Sequence, residues 1–193
     1  MSEEIESMFN NGTWELVPKP TGVKVIGSKW GFRIKEHNSP TEPPRFMAGL
    51  CAKGFSQREG IDYNEIFAPV VKYKTLRLLL DMPTVYDWHL QQMDVKTAFL
   101  HGNRNETIYM SQAIGYVDHR MPDHVCLLRK SIYGSKQSPR HWNIKFNECM
   151  ISLGFARSKY DTCLYMKRPK SGLILYLLMY VDDILIMSNS ESE

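Results

Sequence analysis

Between Leu173 and Met187 the chain reads LILYLLMYVDDILIM, an apolar run broken near its middle by two adjacent acids, Asp182 and Asp183. Each flank is strand length and rich in Leu, Ile and Tyr, so the stretch predicts a β-hairpin with the Asp pair at its tip. Two carboxylates about 4 Å apart repel by about 1 kcal/mol in water and about 4 kcal/mol at an effective dielectric of 20. Holding them beside a buried hairpin therefore requires compensation, which a divalent cation would supply. The plainer alternative is that Asp is a good turn former and only punctuates the hairpin. The run is too short, and too interrupted by charge, to span a bilayer.

At 193 residues, 43% apolar and 23% charged, the chain can form one sizeable domain or two small lobes sharing a core. The net charge of +3 conceals an asymmetry, because Glu3, Glu4, Glu6, Glu191 and Glu193 lie at the ends; without them 16 acids face 24 bases, a charge of +8. A basic body suits an anionic partner, and equally a solvated Lys/Arg surface with no specific one. Cys51, Cys126, Cys149 and Cys163 show no CxxC spacing, which favours reduced intracellular thiols over disulfides. His119, His124 and Cys126 match no zinc pattern. The acidic N-terminus has no apolar segment of the signal-peptide kind, so the expectation is an intracellular protein, neither secreted nor membrane-bound.

Taken in order, residues 1–13 are polar, carry Asn10-Asn11-Gly12 and predict a flexible lead-in, with order beginning near Trp14. VKVIGSKWGFRIK (23–35) and RFMAGLCAKGF (45–55) flank the turn-rich EHNSPTEPP and predict an antiparallel hairpin with a basic face of Lys24, Lys29, Arg33 and Lys35. SQREGIDYNEIFAPV reads as loop. A short helix is expected from Thr75, ended early by Pro83. DWHLQQMDVKTAFL predicts a strand that arrives at Asp94, where a lone Asp is also an ordinary cap or turn. The clearest helix runs over 139–153, capped by Ser138, with Trp142, Phe146, Cys149, Met150 and Leu153 at helical spacing and Gly154 closing it. Before it, Arg129, Lys130, Lys136 and Arg140 surround Tyr133-Gly134 in a basic loop that feeds a helix N-terminus. CLYMKR then predicts a strand that turns through Pro169 to Gly172 into the Asp-bearing hairpin.

Strand, helix, strand in that order can set the Asp94 strand beside the hairpin, and neighbouring strands lie about 4.8 Å apart. Asp94 and Asp182 could then approach the ~3.5–4 Å metal separation of a two-metal phosphoryl-transfer site. Oxygen-only ligands point to Mg²⁺ or Mn²⁺.

YVDD at Tyr180 to Asp183 and QMDVKTAFLHG at Gln92 to Gly102 resemble the reverse transcriptase of Ty1/copia-type LTR retrotransposons, a part of the Pol polyprotein. The resemblance continues through TWELVP, GSKW, AKGFSQREGIDYNEIFAPV, IYM, KSIYGSKQSPRHW and LGFARSKYDTCLY, from Trp14 to about Ser188. It implies an α+β fold of fingers (14–87) and palm (88–193), an antiparallel sheet with packed helices, truncated before the thumb. It also implies RNA-directed DNA polymerisation, in which dNTPs are added to a primer on an RNA or DNA template with two Mg²⁺ (or Mn²⁺) ions. Asp94, Asp182 and Asp183 would be the catalytic metal ligands. Lys53, Phe99, Tyr133 and Val181 would meet the nucleotide, with Phe99 under its sugar. Tyr180, Lys136, Gln137 and Arg140 would meet primer and template, and the thumb and RNase H segments of Pol would be partners.

Several positions depart from the family pattern. Met47 and Gly49 stand where cations are usual in the second fingers strand, LDMPTV (80–85) replaces an Ala-rich helical stretch, Ser135 replaces Leu and Ala113 replaces Pro. Loss of two cations facing triphosphate oxygens should weaken nucleotide binding. A catalytically inactive remnant, or a nucleic-acid-binding module, is therefore the competing expectation, and a generic two-metal nuclease a third.

Overall fold

The computed structural model describes residues 1–35, 44–169 and 172–190. Most of the Pro-rich loop (36–43), and Lys170 and Ser171 of the turn expected before the Asp hairpin, lie outside the described residues. The chain divides into two compact units that interleave in sequence: one of residues 1–66 and 99–142, the other of 67–98 and 143–193. Sequence reading expects a contiguous boundary near residue 87; the structure instead returns the segment after Ala98 to the first unit.

The first unit begins with helix α1 (Ser2–Asn10), where a flexible lead-in was expected. The helix is ordered because Met8 is fully buried among Leu50, Ala52, Met110 and Cys126. Ser2 Oγ also meets the Tyr116 hydroxyl at 2.9 Å, and the Glu4 carboxylate accepts the Leu50 N–H at 3.2 Å. A polar composition hid one apolar anchor. Strands β1 (Trp14–Pro18) and β2 (Val25–Ile26) follow, then the hairpin of β3 (Ser28–Lys35) and β4 (Arg45–Ala52).

The single strand expected over 23–35 is broken at Gly27. Lys24 consequently lies off the hairpin's basic face and pairs with Asp62 at 3.0 Å. Lys29, Arg33 and Lys35 do share a face of β3, with Lys35 opposite Arg45. Strands β6 (Asn103–Met110) and β7 (His124–Lys130) complete a sheet in the order β1-β7-β6-β2, antiparallel except for β2 against β6.

The second unit is a five-stranded antiparallel sheet in the order β5-β11-β10-β9-β8, made of β5 (His89–Asp94), β8 (Ala156–Arg157), β9 (Leu164–Lys167), β10 (Leu175–Tyr180) and β11 (Asp183–Ser188). Helix α2 (Tyr73–Tyr86) sets Leu76, Leu79 and Met82 against Leu178, Leu185 and Met187. The helix runs through Pro83, where an early end was expected. Pro83 falls in the last turn, so its missing N–H removes one helical bond near the end, while the apolar stripe before it is fixed by packing on the sheet. Asp87 then closes the helix in the left-handed conformation, its N–H reaching the Pro83 carbonyl.

Helix α3 (Ser138–Ser152) spans the division between the units. Trp142, Phe146 and Met150 form its buried stripe, whereas Cys149 and Leu153, expected on the same face, are exposed. Ser138 does not cap it: its hydroxyl donates to the Ile132 carbonyl at 2.7 Å. The first helical bond is instead the His141 N–H to the Gln137 carbonyl at 3.1 Å. Gly154, with φ of +83°, ends the helix as expected, and the Phe155 N–H reaches back to the Met150 carbonyl at 3.0 Å.

The described cysteines are all free thiols. Burial pushes Cys126 up to about 12 and, as the largest of its causes, Cys163 up to about 11, so neither ionises at neutral pH. Among the described residues no helix is long and apolar enough to cross a membrane.

Candidate active site

Strands β10 and β11 form the expected hairpin, with Val181 and Asp182 as its two-residue turn and Tyr180 opposite Asp183. Val181 has φ of +58°. A β-branched residue there is strained, of order 1–3 kcal/mol, because its Cβ crowds the backbone. Tyr180 and Val181 stand exposed at the tip, 52% and 41% respectively.

On its other side β11 pairs with β5, and the register sets Asp183 directly opposite Asp94. Opposed residues of an antiparallel pair share a face, so these two acids project from the face that carries Leu185 and Met187 further along. The Val95 N–H donates to the Asp182 carbonyl at 2.9 Å, which extends the pairing past Asp94 and fixes the turn against the end of β5. Gln92 Nε2 donates to Asp183 Oδ1 at 3.1 Å. Asp94 is exposed, and Asp182 and Asp183 are half-buried.

The backbone thus brings Asp94 and the sequence-distant Asp182-Asp183 pair to one end of the sheet. Their oxygen-only donor set suits a hard divalent cation in kind. Among the described residues, however, no three His, Cys, Asp or Glu side chains converge as a ready-made metal cluster.

The remaining candidate residues belong to the first unit. Lys53 follows β4, its side chain running along Gly27, where a Cβ would come within 2.9 Å of Lys53 Cδ. Phe99 meets Tyr133 edge-on, with ring centroids 4.8 Å apart. The Tyr133 carbonyl accepts the Ala52 N–H at 2.8 Å. Phe99 and Tyr133, far apart in sequence, are therefore in contact, and Lys53 follows directly on the residue that bonds the Tyr133 carbonyl.

Lys136 Nζ donates to the Tyr63 hydroxyl at 3.1 Å and lies 5.0 Å from the centre of that ring. Arg140 pairs with Glu65 at 2.5 Å. Gln137, expected on template or primer, is fully buried. Its Oε1 accepts from Gln57 Nε2 at 3.1 Å and its Nε2 donates to the Asp62 carbonyl at 3.2 Å, so it supports the loop from within. Sequence reading missed Gln57, Asp62 and Tyr63, which are buried in a segment that reads as loop; the one visible signal was their density of hydrogen-bonding side chains.

The chain is an α+β protein whose second unit carries acids at one end of its sheet. Comparison with known proteins narrows this. The profile of the family described as reverse transcriptase (RNA-dependent DNA polymerase) matches residues 11–193. The chain is 44% identical over 191 residues to the retrovirus-related Pol polyprotein from transposon RE2 of Arabidopsis thaliana, covering 98% of this chain and 13% of that protein. It is 42% identical over 191 residues to the corresponding polyprotein from transposon TNT 1-94 of Nicotiana tabacum, covering 99% and 14%. It is also 41% identical over 98 residues, 51% of this chain and 32% of the relative, to the transposon Ty5-1 protein YCL074W of Saccharomyces cerevisiae. The chain belongs to the reverse transcriptase family, in the copia-type retrotransposon Pol group, as the motifs around Asp94 and Asp182 implied. It spans about one seventh of the length of the plant polyproteins it matches.

Proposed function

We propose that the chain is the fingers and part of the palm of an RNA-directed DNA polymerase that adds dNTPs to a primer 3′-hydroxyl. The two interleaved units support reading 1–66 with 99–142 as fingers and 67–98 with 143–193 as palm. The observation that carries the reading is the register of β5 on β11, which opposes Asp94 to Asp183 beside the Asp182 turn.

In this reading Asp94 and Asp182 would hold two divalent ions, with Asp183 completing the carboxylate set. A pair of Mg²⁺ or Mn²⁺ ions there would supply Lewis-acid activation of a hydroxyl and neutralisation of phosphate charge. The chain's own residues do the rest. Gln92 restrains Asp183, and Tyr180 and Val181, exposed on the strained turn, lie along the primer end and nucleotide. Lys53 meets phosphate oxygens. Phe99, braced by Tyr133, lies under the sugar and excludes a 2′-hydroxyl. Lys136 and Arg140 approach the nucleic-acid backbone, Lys136 held by Tyr63 and Arg140 by Glu65 until phosphate competes for them. The thumb and RNase H segments of an intracellular Pol polyprotein are its natural partners.

A second reading, an inactive remnant, is favoured by Met47 and Gly49 on the basic face of the β3–β4 hairpin. Primed poly(rA), dTTP and Mg²⁺ separate the readings. The 193-residue chain is expected to extend the primer weakly at best; extension that needs the metal and disappears in Asp182→Asn supports the polymerase. No extension with either Mg²⁺ or Mn²⁺, by the chain alone and by a full-length polymerase that carries it, supports the remnant. Metal-dependent cleavage of the primer without dTTP points to a nuclease and contradicts both.

A further inference from the structure

The segment Gly54–Tyr63, which reads as loop from Ser56 onward, contributes Gln57 to a buried side-chain amide pair with Gln137. Gln57 Nε2 donates to Gln137 Oε1 at 3.1 Å, and Gln57 Oε1 accepts the Lys136 N–H at 2.9 Å. Gln137 Nε2 donates onward to the Asp62 carbonyl at 3.2 Å. The Asp62 carboxylate accepts the Arg58 N–H at 2.7 Å and pairs with Lys24 at 3.0 Å. Neither amide can be turned over: the Lys136 N–H must meet an oxygen and the Asp62 carbonyl must meet a nitrogen. The chain of bonds therefore has one direction and one register.

Lys53 lies a few residues before this lock and is pinned on both sides to the same partner loop. The preceding Ala52 N–H bonds the Tyr133 carbonyl at 2.8 Å. The following Gly54 packs so closely that a Cβ would sit 2.0 Å from the Gly134 oxygen. Gly134 in turn has φ of +84°, and a Cβ there would come within 2.3 Å of the Ala52 oxygen. No side chain fits between these backbones, so their separation is set by contact and their alignment along the chain by the amides.

We propose that Gln57 is a positioning residue: through Lys136 and Gln137 it holds the Tyr133–Lys136 loop in one alignment against Lys53, so that the two elements present a nucleoside triphosphate with a preformed site. The inference rests on the polymerase reading and deepens it. Gln57 itself touches no substrate. Its effect is on how much ordering the nucleotide must impose when it binds.

The test uses the full chain with primed poly(rA), reading amide exchange and dTTP affinity together. Gln57→Met keeps the side-chain length and removes both amide bonds. It is expected to speed exchange at the Lys136 N–H by about tenfold or more while the β6 and β7 amides stay protected. It is also expected to weaken dTTP binding by about fivefold or more with affinity for the primed template unchanged. Gln57→Glu retains the acceptor for Lys136 but sets an oxygen against Gln137 Oε1, so an intermediate loss of protection and of dTTP affinity is expected; if Gln57→Met fails to fold, Gln57→Glu beside wild type carries both readouts. Unchanged Lys136 exchange in Gln57→Met overturns the lock. Faster exchange with unaltered dTTP affinity overturns the positioning role and leaves a structural one. A wild-type chain that binds no dTTP contradicts the polymerase reading, and does so before any variant is made.

Discussion

Met8→Ala is the sharpest test of how the N-terminal helix is held. Met8 has no exposed surface and lies in the core with Leu50, Met110 and Cys126, whereas its neighbour Phe9 is 81% exposed. Truncating a buried Met to Ala removes three side-chain heavy atoms and leaves a cavity, a loss of about 2–5 kcal/mol. For a chain of this length each kcal/mol moves the melting midpoint by about 2–4 °C, so a fall of at least about 4 °C is expected. Phe9→Ala, a larger change to an exposed side chain, should stay within about 0.5 kcal/mol. Urea titration followed by circular dichroism measures both. The reasoning is refuted if Met8→Ala costs less than about 1 kcal/mol, or if the two variants are equally affected, since α1 would then be a detachable appendage.

Two further outcomes follow from the same packing and charges. Restoring Gly49→Arg alone should raise polyphosphate affinity less than Gly49→Arg with Glu4→Gln, because a Cβ at 49 stands 3.9 Å from the half-buried Glu4 carboxylate; a pair near the surface is worth about 0.2–1 kcal/mol, about 1.4- to 5-fold, and equal affinities would contradict the contact. Asp161 is pulled up by burial, but hydrogen bonds from Thr75 and from the Lys72 and Cys163 amides, with the Lys72 charge, outweigh this and hold it below the usual carboxylate range. A depressed folded pKa gives stability that is present above the unfolded value of about 3.9 and lost as pH falls through the folded one. Wild type should therefore lose its stability advantage over Asp161→Asn on acidification through that window in thermal melts; a difference independent of pH would contradict it.

What the sequence disclosed was what short-range periodicity can carry. The Asp hairpin was legible because both flanks are apolar and strand length, and the Asp94 strand beside it because strand, helix and strand follow in that order, whereas the antiparallel register that opposes Asp94 to Asp183 was not. The aromatic stripe of α3 was legible at 142, 146 and 150 and overread at Cys149 and Leu153, where the turn of the helix carries them to solvent. Pro83 misled because its local cost was weighed without the sheet that α2 covers. Residues 1–13 misled because a single buried methionine outweighs a polar neighbourhood. The amide lock between Gln57 and Gln137 was not legible at all: the partners stand 80 residues apart and no periodicity links them.

Manganese binding to the chain, followed by the loss of its free-ion paramagnetic resonance signal, tests the central claim most directly. The account predicts that wild type binds the ion at the end of the β5–β11 pair and that Asp182→Asn and Asp94→Asn each abolish most of this binding while both variants keep the wild-type circular dichroism. Binding that is the same in all three proteins would contradict it.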